Sequence, residues 1–192
     1  MEYLTKERAY DWVYLVISPQ NPFKNPSKAL NAEQRYRAAI AAVRRHPELH
    51  VWVDNIELSM DPPHYTIRTL DALRRREPEN EFTLVVGADN LENMLGWRDS
   101  TRILSEYGVA VYPRKGFDVN KIREIMYDRM LLLPSAYTLD AAAVHDTPGT
   151  VGFEDAEHLY KIDIIDAPIV DISSTRIREG LAAGKDMSAW MM

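Results

Sequence analysis

Continuous apolar runs alternate with amphipathic segments along this chain. Trp12-Val13-Tyr14-Leu15-Val16-Ile17 shows no in/out alternation and predicts a strand covered on both faces, ended by Pro19 and Pro22. Asn31 to Arg45 predicts a helix, with Tyr36, Ile40 and Val43 at helical spacing and Pro47 as its stop. Asn31 with Gln34 three residues later suits a capping box. A second strand is expected at His50–Val53, followed by the Pro-rich loop Asp61-Pro62-Pro63-His64. The next helix, from about Tyr65 to Arg76, places Ile67, Leu70 and Leu73 on one face.

A third strand, Phe82–Val86, ends at Gly87-Ala88-Asp89. A short helical stretch carries Leu91, Met94 and Leu95, and another helix is expected from Ser100 to Glu106. The fourth strand, Val109–Tyr112, stops at Pro113 before a helix over 118–129. Leu131-Leu132-Leu133 is a candidate strand. An extended stretch from Ile162 to Val170 leads into a last helix, with Ile177 and Leu181 at i, i+4 and Gly184 at its end.

Strands alternating with helices imply an α/β fold with a parallel sheet. Loops that follow the strands then share one edge of that sheet, where such folds bind ligands. That edge would collect Ser18 to Lys24, Gly87 to Asn90, Arg114 and residues 173–178. With 192 residues the chain is expected to form a single domain, 1–192, able to bury a core without disulfides.

Composition narrows the chemistry. Apolar residues make up 46% and charged residues 27%, an ordinary balance for a globular protein. The absence of cysteine excludes a thiol nucleophile and an iron–sulfur cluster. No apolar run approaches the roughly 20 residues of a membrane span, and the start has no signal-like apolar region, so the expected compartment is the cytoplasm. A net charge of −6 disfavours a nucleic-acid binder. It leaves a phosphate ligand open, because Lys24, Arg114, Arg176 and Arg178 can focus positive charge locally. His46 and His50 are four apart, but Pro47 between them disfavours one helix carrying both, so no protein-bound metal is expected.

The strongest local signal is Ile172-Ser173-Ser174-Thr175-Arg176-Ile177-Arg178 at the start of the last helix. Three hydroxyls beside free helix N–H groups offer an anion site, to which Arg178 adds a planar donor. A plain helix cap with surface arginines is the alternative.

That run resembles the Ile-Ser-Ser-Thr-x-Ile-Arg signature of the nucleotidylyltransferase superfamily, and further segments resemble its nicotinate-nucleotide adenylyltransferase branch in order. They are Ser18-Pro19-Gln20-Asn21-Pro22-Phe23-Lys24; Pro63-His64-Tyr65-Thr66-Ile67-Arg68-Thr69-Leu70, with His64 where serine is usual; Val86-Gly87-Ala88-Asp89-Asn90-Leu91 with Trp97; and Tyr112-Pro113-Arg114-Lys115-Gly116. Any one alone is weak, whereas the ordered set is specific.

The resemblance implies a Rossmann-like open parallel sheet with helices on both faces. It also implies adenylyl transfer from ATP, accompanied by Mg2+, to nicotinate mononucleotide, giving deamido-NAD and pyrophosphate. Lys24, Ser173, Ser174, Thr175 and Arg178 would hold ATP phosphates. Asp89 would accept hydrogen bonds from the nucleotide, Arg114 would contact ATP, Tyr65 and Thr66 would sit near the nicotinate carboxylate, and Trp97 would stack on the ring. The bland alternatives are a solvated loop lysine for Lys24, helix caps for Asp89 and Thr66, a core tryptophan for Trp97 and a surface turn for Arg114.

The family's opening strand and its Gly-x-Phe-(Asp/Asn)-Pro-x-His-x-Gly-His segment have no match here, so no catalytic histidine is assigned. The resemblance therefore implies a longer protein, a truncated one with impaired activity whose sheet lacks its central first strand, or residues from elsewhere that rebuild that centre; it also implies a further helix after Met192. Two other functions stay open: a non-catalytic nucleotide-binding remnant, and transfer to another acceptor, nicotinamide mononucleotide or phosphopantetheine. Phosphopantetheine is disfavoured because it has no ring to stack on Trp97. The sequence sets no oligomeric state.

Overall fold

The computed structural model describes residues 1–7, 10–19, 31–131, 160–169 and 174–186. In chain order the elements are α1 (Glu2–Lys6), β1 (Val13–Val16), α2 (Ala32–Val43), β2 (Val51–Asp54), a 3-10 turn (Ile56–Ser59), α3 (Thr66–Arg76), β3 (Leu84–Gly87) and α4 (Ala88–Leu91). A second 3-10 turn (Met94–Gly96), α5 (Ser100–Arg102), a π-turn (Ile103–Tyr107), β4 (Val109–Tyr112), α6 (Val119–Leu131), β5 (Ile162–Ile164) and α7 (Ser174–Ala182) follow. Strands alternate with helices and every strand pair is parallel, the expected α/β arrangement. The strands form two sheets, β1-β2 and β3-β4-β5. The chain gathers into two compact units, residues 1–64 with 172–192, and residues 65–171.

In the first unit β1 pairs with β2 from Val13↔Val51 to Val16↔Asp54. The capping box of α2 forms as its sequence suggests. Asn31 Oδ1 accepts from the Gln34 N–H at 2.8 Å, and the Asn31 N–H donates to Gln34 Oε1 at 3.1 Å. Arg35, one helical turn on, donates to the carbonyls of both Ser18 and Pro19, tying α2 to the loop that leaves β1.

The expected cover on both faces of β1 is not what forms. All four of its residues are half-buried, and Trp12 and Trp52 stay 54% and 56% exposed. Val51 and Val53 on β2 are buried while Trp52 between them is not, a period-two alternation that ends at Asp54, buried on the same side as Trp52. Trp12 instead stacks on His50, ring centroids 5.2 Å apart.

The second unit holds a contiguous apolar core. Ile67, Leu70 and Leu73 of α3 are buried as their spacing predicts. Ile67 and Leu70 pack with Val109 and Val111 of β4, Ile103 and Leu104 of the π-turn, and Ile122 and Met126 of α6. The predicted helix from Ser100 to Glu106 is α-helical only to Arg102. Its second half widens into a π-turn, closed by the Gly108 N–H donating to the Ile103 carbonyl at 2.9 Å. Gly108 then enters β4 at φ 80°, with Lys161 Cβ only 2.9 Å from where a side chain would begin, so both conformation and space require glycine. Leu131 ends α6 rather than opening a strand; residues 132–133 of that expectation lie outside the described residues. Among the described residues no helix is long and apolar enough to cross a membrane.

A polar cluster fastens α3 to the α5–π segment. Arg102 donates to both oxygens of Asp71 (3.2 and 3.0 Å) and to both oxygens of Glu106 (2.6 and 3.1 Å). Tyr107 donates its hydroxyl to Asp71 at 2.6 Å, and Arg74 donates to Glu106 at 3.0 Å. Burial works against the Asp71 carboxylate, but the hydrogen bonds from Arg102 and Tyr107 outweigh it and hold its pKa below the usual value. The Arg102 hydrogen bonds do the same for Glu106. Burial, then the bond to Asp71, pushes the Tyr107 hydroxyl up.

Two carboxyl pKa values depressed on folding stabilise the native state above their unfolded values, about 4. That contribution is lost as pH falls through the lower folded values. The urea midpoint should therefore drop as pH is lowered from about 5. The Asp71→Asn/Glu106→Gln variant should start lower and show a shallower acid decline. An equally steep decline in that variant would remove these two carboxyls as its source.

Candidate nucleotide site

The register of two strands builds the centre of the site. β3 pairs with β4 in parallel, with Gly87 opposite Tyr112. Asp89 and Arg114 each follow two residues later, so equal strides past the strand ends bring an anion and a cation together. Ala88 is fully buried and anchors α4, which carries Asp89 in its first turn; Pro113 ends the β4 ladder just before Arg114.

Arg114 Nε lies 3.0 Å from Asp89 Oδ1. This is an ion contact without hydrogen-bond alignment, because that oxygen is buried and receives no hydrogen bond. Gly87 makes the approach possible. A Cβ there would lie 2.4 Å from Asp89 Oδ1 and 2.7 Å from Arg114 Nε. Asp89 does not cap α4: Gly87 occupies the cap position and no side chain accepts there. Its backbone carbonyl instead accepts from Asn93 Nδ2 at 3.1 Å. A buried acceptor lacking a donor, half of a partly exposed ion pair, suits a ligand that brings a hydroxyl or amino donor beside an anionic group.

A second group lies at the start of α3. Tyr65 occupies the cap position and is 43% exposed; Thr66 is the first helical residue, and no side chain caps the helix. Plain capping by Thr66 is therefore not what forms; the Arg68 N–H donates to the Tyr65 carbonyl at 2.9 Å, and the N–H groups of Thr66 and Ile67 ahead of it are the ones that can face an anion. Trp97 is half-buried and leans on the core cluster, so its outer part stays open while its inner part packs. The neighbouring Arg98 guanidinium stands 5.9 Å over the Tyr65 ring, which brings the start of α3 next to the Trp97 segment.

The hydroxyl motif falls at the start of α7, with Ser174 and Thr175 in its first turn and Arg178 one turn further on. Ser173 and Lys24 lie outside the described residues. The sequence did not mark the Gly87 cradle or Arg98, and it marked His64 only as a departure from the usual serine; the buried Nδ1 of His64 has no hydrogen-bond partner. Glycine at the very end of an apolar strand was the available signal for the cradle. The histidines that sequence spacing set apart are occupied separately, His46 beside Glu48 at 3.3 Å and His50 against Trp12. No group of three or more candidate metal-binding side chains occurs among the described residues.

A parallel sheet with a charge pair past its strand ends makes an α/β protein with a polar edge of the kind where such folds bind ligands, and comparison with known proteins gives its family. The cytidylyltransferase-like family model matches residues 1–180. A Bacteroides fragilis protein named "Probable nicotinate-nucleotide adenylyltransferase" is 34% identical over 185 residues, 96% of this chain and 74% of that protein. A Porphyromonas gingivalis protein of the same name is 32% identical over 189 residues, 98% and 78% of the two chains. The Plasmodium falciparum nicotinic acid mononucleotide adenylyltransferase, solved in complex with NaAD, shares the fold at a TM-score of 0.64 and 14% identity, covering 98% of this chain and 78% of that one. The same enzyme solved with APC superposes with a TM-score of 0.61. The chain thus belongs to the cytidylyltransferase-like family, on its nicotinate-nucleotide adenylyltransferase branch.

The Gly87 geometry gives a direct test. The backbone there is extended (φ −78°), so Gly87→Ala meets no conformational penalty, and only the mobile ends of Asp89 and Arg114 must move. The variant should keep its urea-derived stability to within about 1 kcal/mol while its crystal structure shows the two side chains separated. A loss above about 3 kcal/mol, or an unmoved pair, would contradict this reading of the cradle.

Proposed function

We propose that the protein transfers the adenylyl group of ATP to nicotinate mononucleotide. A phosphate oxygen of the mononucleotide attacks the α-phosphorus of ATP. The new P–O bond forms as the α–β anhydride bond breaks, pyrophosphate leaves with the bonding electrons, and deamido-NAD remains. The observation that carries this reading is the buried, donor-less Oδ1 of Asp89 held beside Arg114 over Gly87. The relatives' names and the NaAD in the related Plasmodium structure support the choice of substrates.

Both reacting groups are phosphates, and the nucleophile is already an anion. Little proton transfer is needed, and the protein's contribution is alignment and charge stabilisation. ATP enters as its magnesium complex, whose charge offsets that of the triphosphate. Asp89 accepts from the nucleotide and Arg114 offsets phosphate charge. Lys24, Ser173, Ser174, Thr175 and Arg178 take the remaining phosphate contacts by their place in the motif. The uncapped start of α3, at Tyr65 and Thr66, receives the nicotinate carboxylate, and Trp97 presents an aromatic face to the ring. A carboxylate at a helix start favours the acid over the amide mononucleotide.

Purified full-length protein should release pyrophosphate from ATP when nicotinate mononucleotide is present. The amide should turn over at least about tenfold more slowly, a difference of about 1.4 kcal/mol. Asp89→Ala should lower kcat/KM by about a hundredfold, the scale of one lost transition-state contact. No pyrophosphate release with any mononucleotide would overturn the proposal, and ATP binding without release would leave a nucleotide-binding protein.

A further inference from the structure

Away from the reacting groups, the second unit carries a polar cluster denser than a surface helix needs. Arg102 donates four hydrogen bonds to two carboxylates, Asp71 and Glu106, and Tyr107 closes the set through Asp71. Arg74 adds its bond to Glu106 and stands 4.7 Å over the Tyr107 ring. Asp71 and Glu106 keep about a fifth of their side-chain surface exposed (21% and 22%), so water competes for the cluster only in part.

The two segments joined here are the two that carry the acceptor end of the site. Asp71 lies on the helix that Tyr65 and Thr66 open. Arg102 lies five residues after Trp97. The segments meet a second time where Arg98 stands over Tyr65. Between the two meeting points sits Asp99, at φ 50° and ψ 40°, the one non-glycine residue with positive φ among the described residues. Aspartate is among the few non-glycine residues that adopt this left-handed conformation readily. Arg102 clamps the chain to Asp71 three residues beyond this turn.

We propose that Arg102, with Asp71, Glu106 and Tyr107, is a positioning unit that fixes Trp97 relative to the start of α3 and so sets affinity for the acceptor mononucleotide. The assignment of Trp97, Tyr65 and Thr66 to the acceptor rests on the function proposed above. Neither Asp89 nor Arg114 bonds to this cluster, so ATP binding should not feel its loss. A network that served only stability would affect both substrates alike.

The test is Arg102→Met, with Arg102→Lys as the conservative variant and Tyr107→Phe as a milder one that removes a single bond to Asp71. For Arg102→Met, KM for nicotinate mononucleotide should rise at least about tenfold, with KM for ATP and kcat within about twofold. Arg102→Lys keeps the charge but cannot grip both carboxylates, so it should fall between wild type and Arg102→Met. Tyr107→Phe should raise the acceptor KM about threefold, and it carries the test if Arg102→Met does not fold.

A second readout needs no turnover. In protein labelled with 5-fluorotryptophan, the Trp97 fluorine resonance, assigned with Trp97→Phe, should shift or broaden in the variants. If wild type makes no product but that resonance responds, the function fails while the positioning of Trp97 by the cluster stands. An unchanged Trp97 resonance, or equal rises in both KM values, overturns the proposal.

Discussion

The pairing of β3 with β4 is the constraint on which the site depends. A parallel ladder sends both chains out at the same edge, and the Gly87↔Tyr112 register places their exits at the same level. From there a two-residue stride on each side delivers Asp89 and Arg114. A one-residue slip would turn every side chain of β3 to the opposite face, exposing Val86, which is buried against the core. The apolar packing that fixes the register therefore also fixes the charge pair. Glycine at the last strand position converts that alignment into contact, because any side chain there would occupy the space the two charged ends share.

The core is arranged to hold this edge. Ala88, Leu91 and Met94 are completely buried directly after β3, so the segment carrying Asp89 is seated on the core rather than left as a loose loop. The proposed acceptor end is held differently. Tyr65 and Trp97 come from separate stretches joined by directional hydrogen bonds, which specify geometry where apolar contact alone would allow sliding. Strand register thus sets the Asp89–Arg114 half of the proposed site, and a polar clamp the Tyr65–Trp97 half.

The elements whose cause is local were legible in the sequence. Asn31 and Gln34 announced the start of α2, the Ile67–Leu70–Leu73 spacing announced the buried face of α3, and the Gly-Ala-Asp run marked the end of β3. Features that depend on distant partners were not. The β1 run has the composition of a doubly covered strand, yet composition does not say which face finds a partner, and Trp12 and Trp52 are left exposed. The π-turn and the left-handed Asp99 arise where α5 must meet both Asp71 and the entry to β4, a conflict no local window contains. Within the polar cluster only Arg102–Glu106 has helical i,i+4 spacing; the bonds from Asp71 to Arg102 and Tyr107 span more than thirty positions, beyond any local rule. Asp89 and Arg114 were each legible as candidates, but their meeting over Gly87 required the strand register.

The most direct measurement of the central claim is a crystal structure with an ATP analogue and nicotinate mononucleotide bound together. Asp89 Oδ1 should then accept a hydrogen bond from the nucleotide at about 3 Å, with the Arg114 guanidinium facing its phosphates. A nucleotide seated away from Gly87, Asp89 and Arg114 would contradict it.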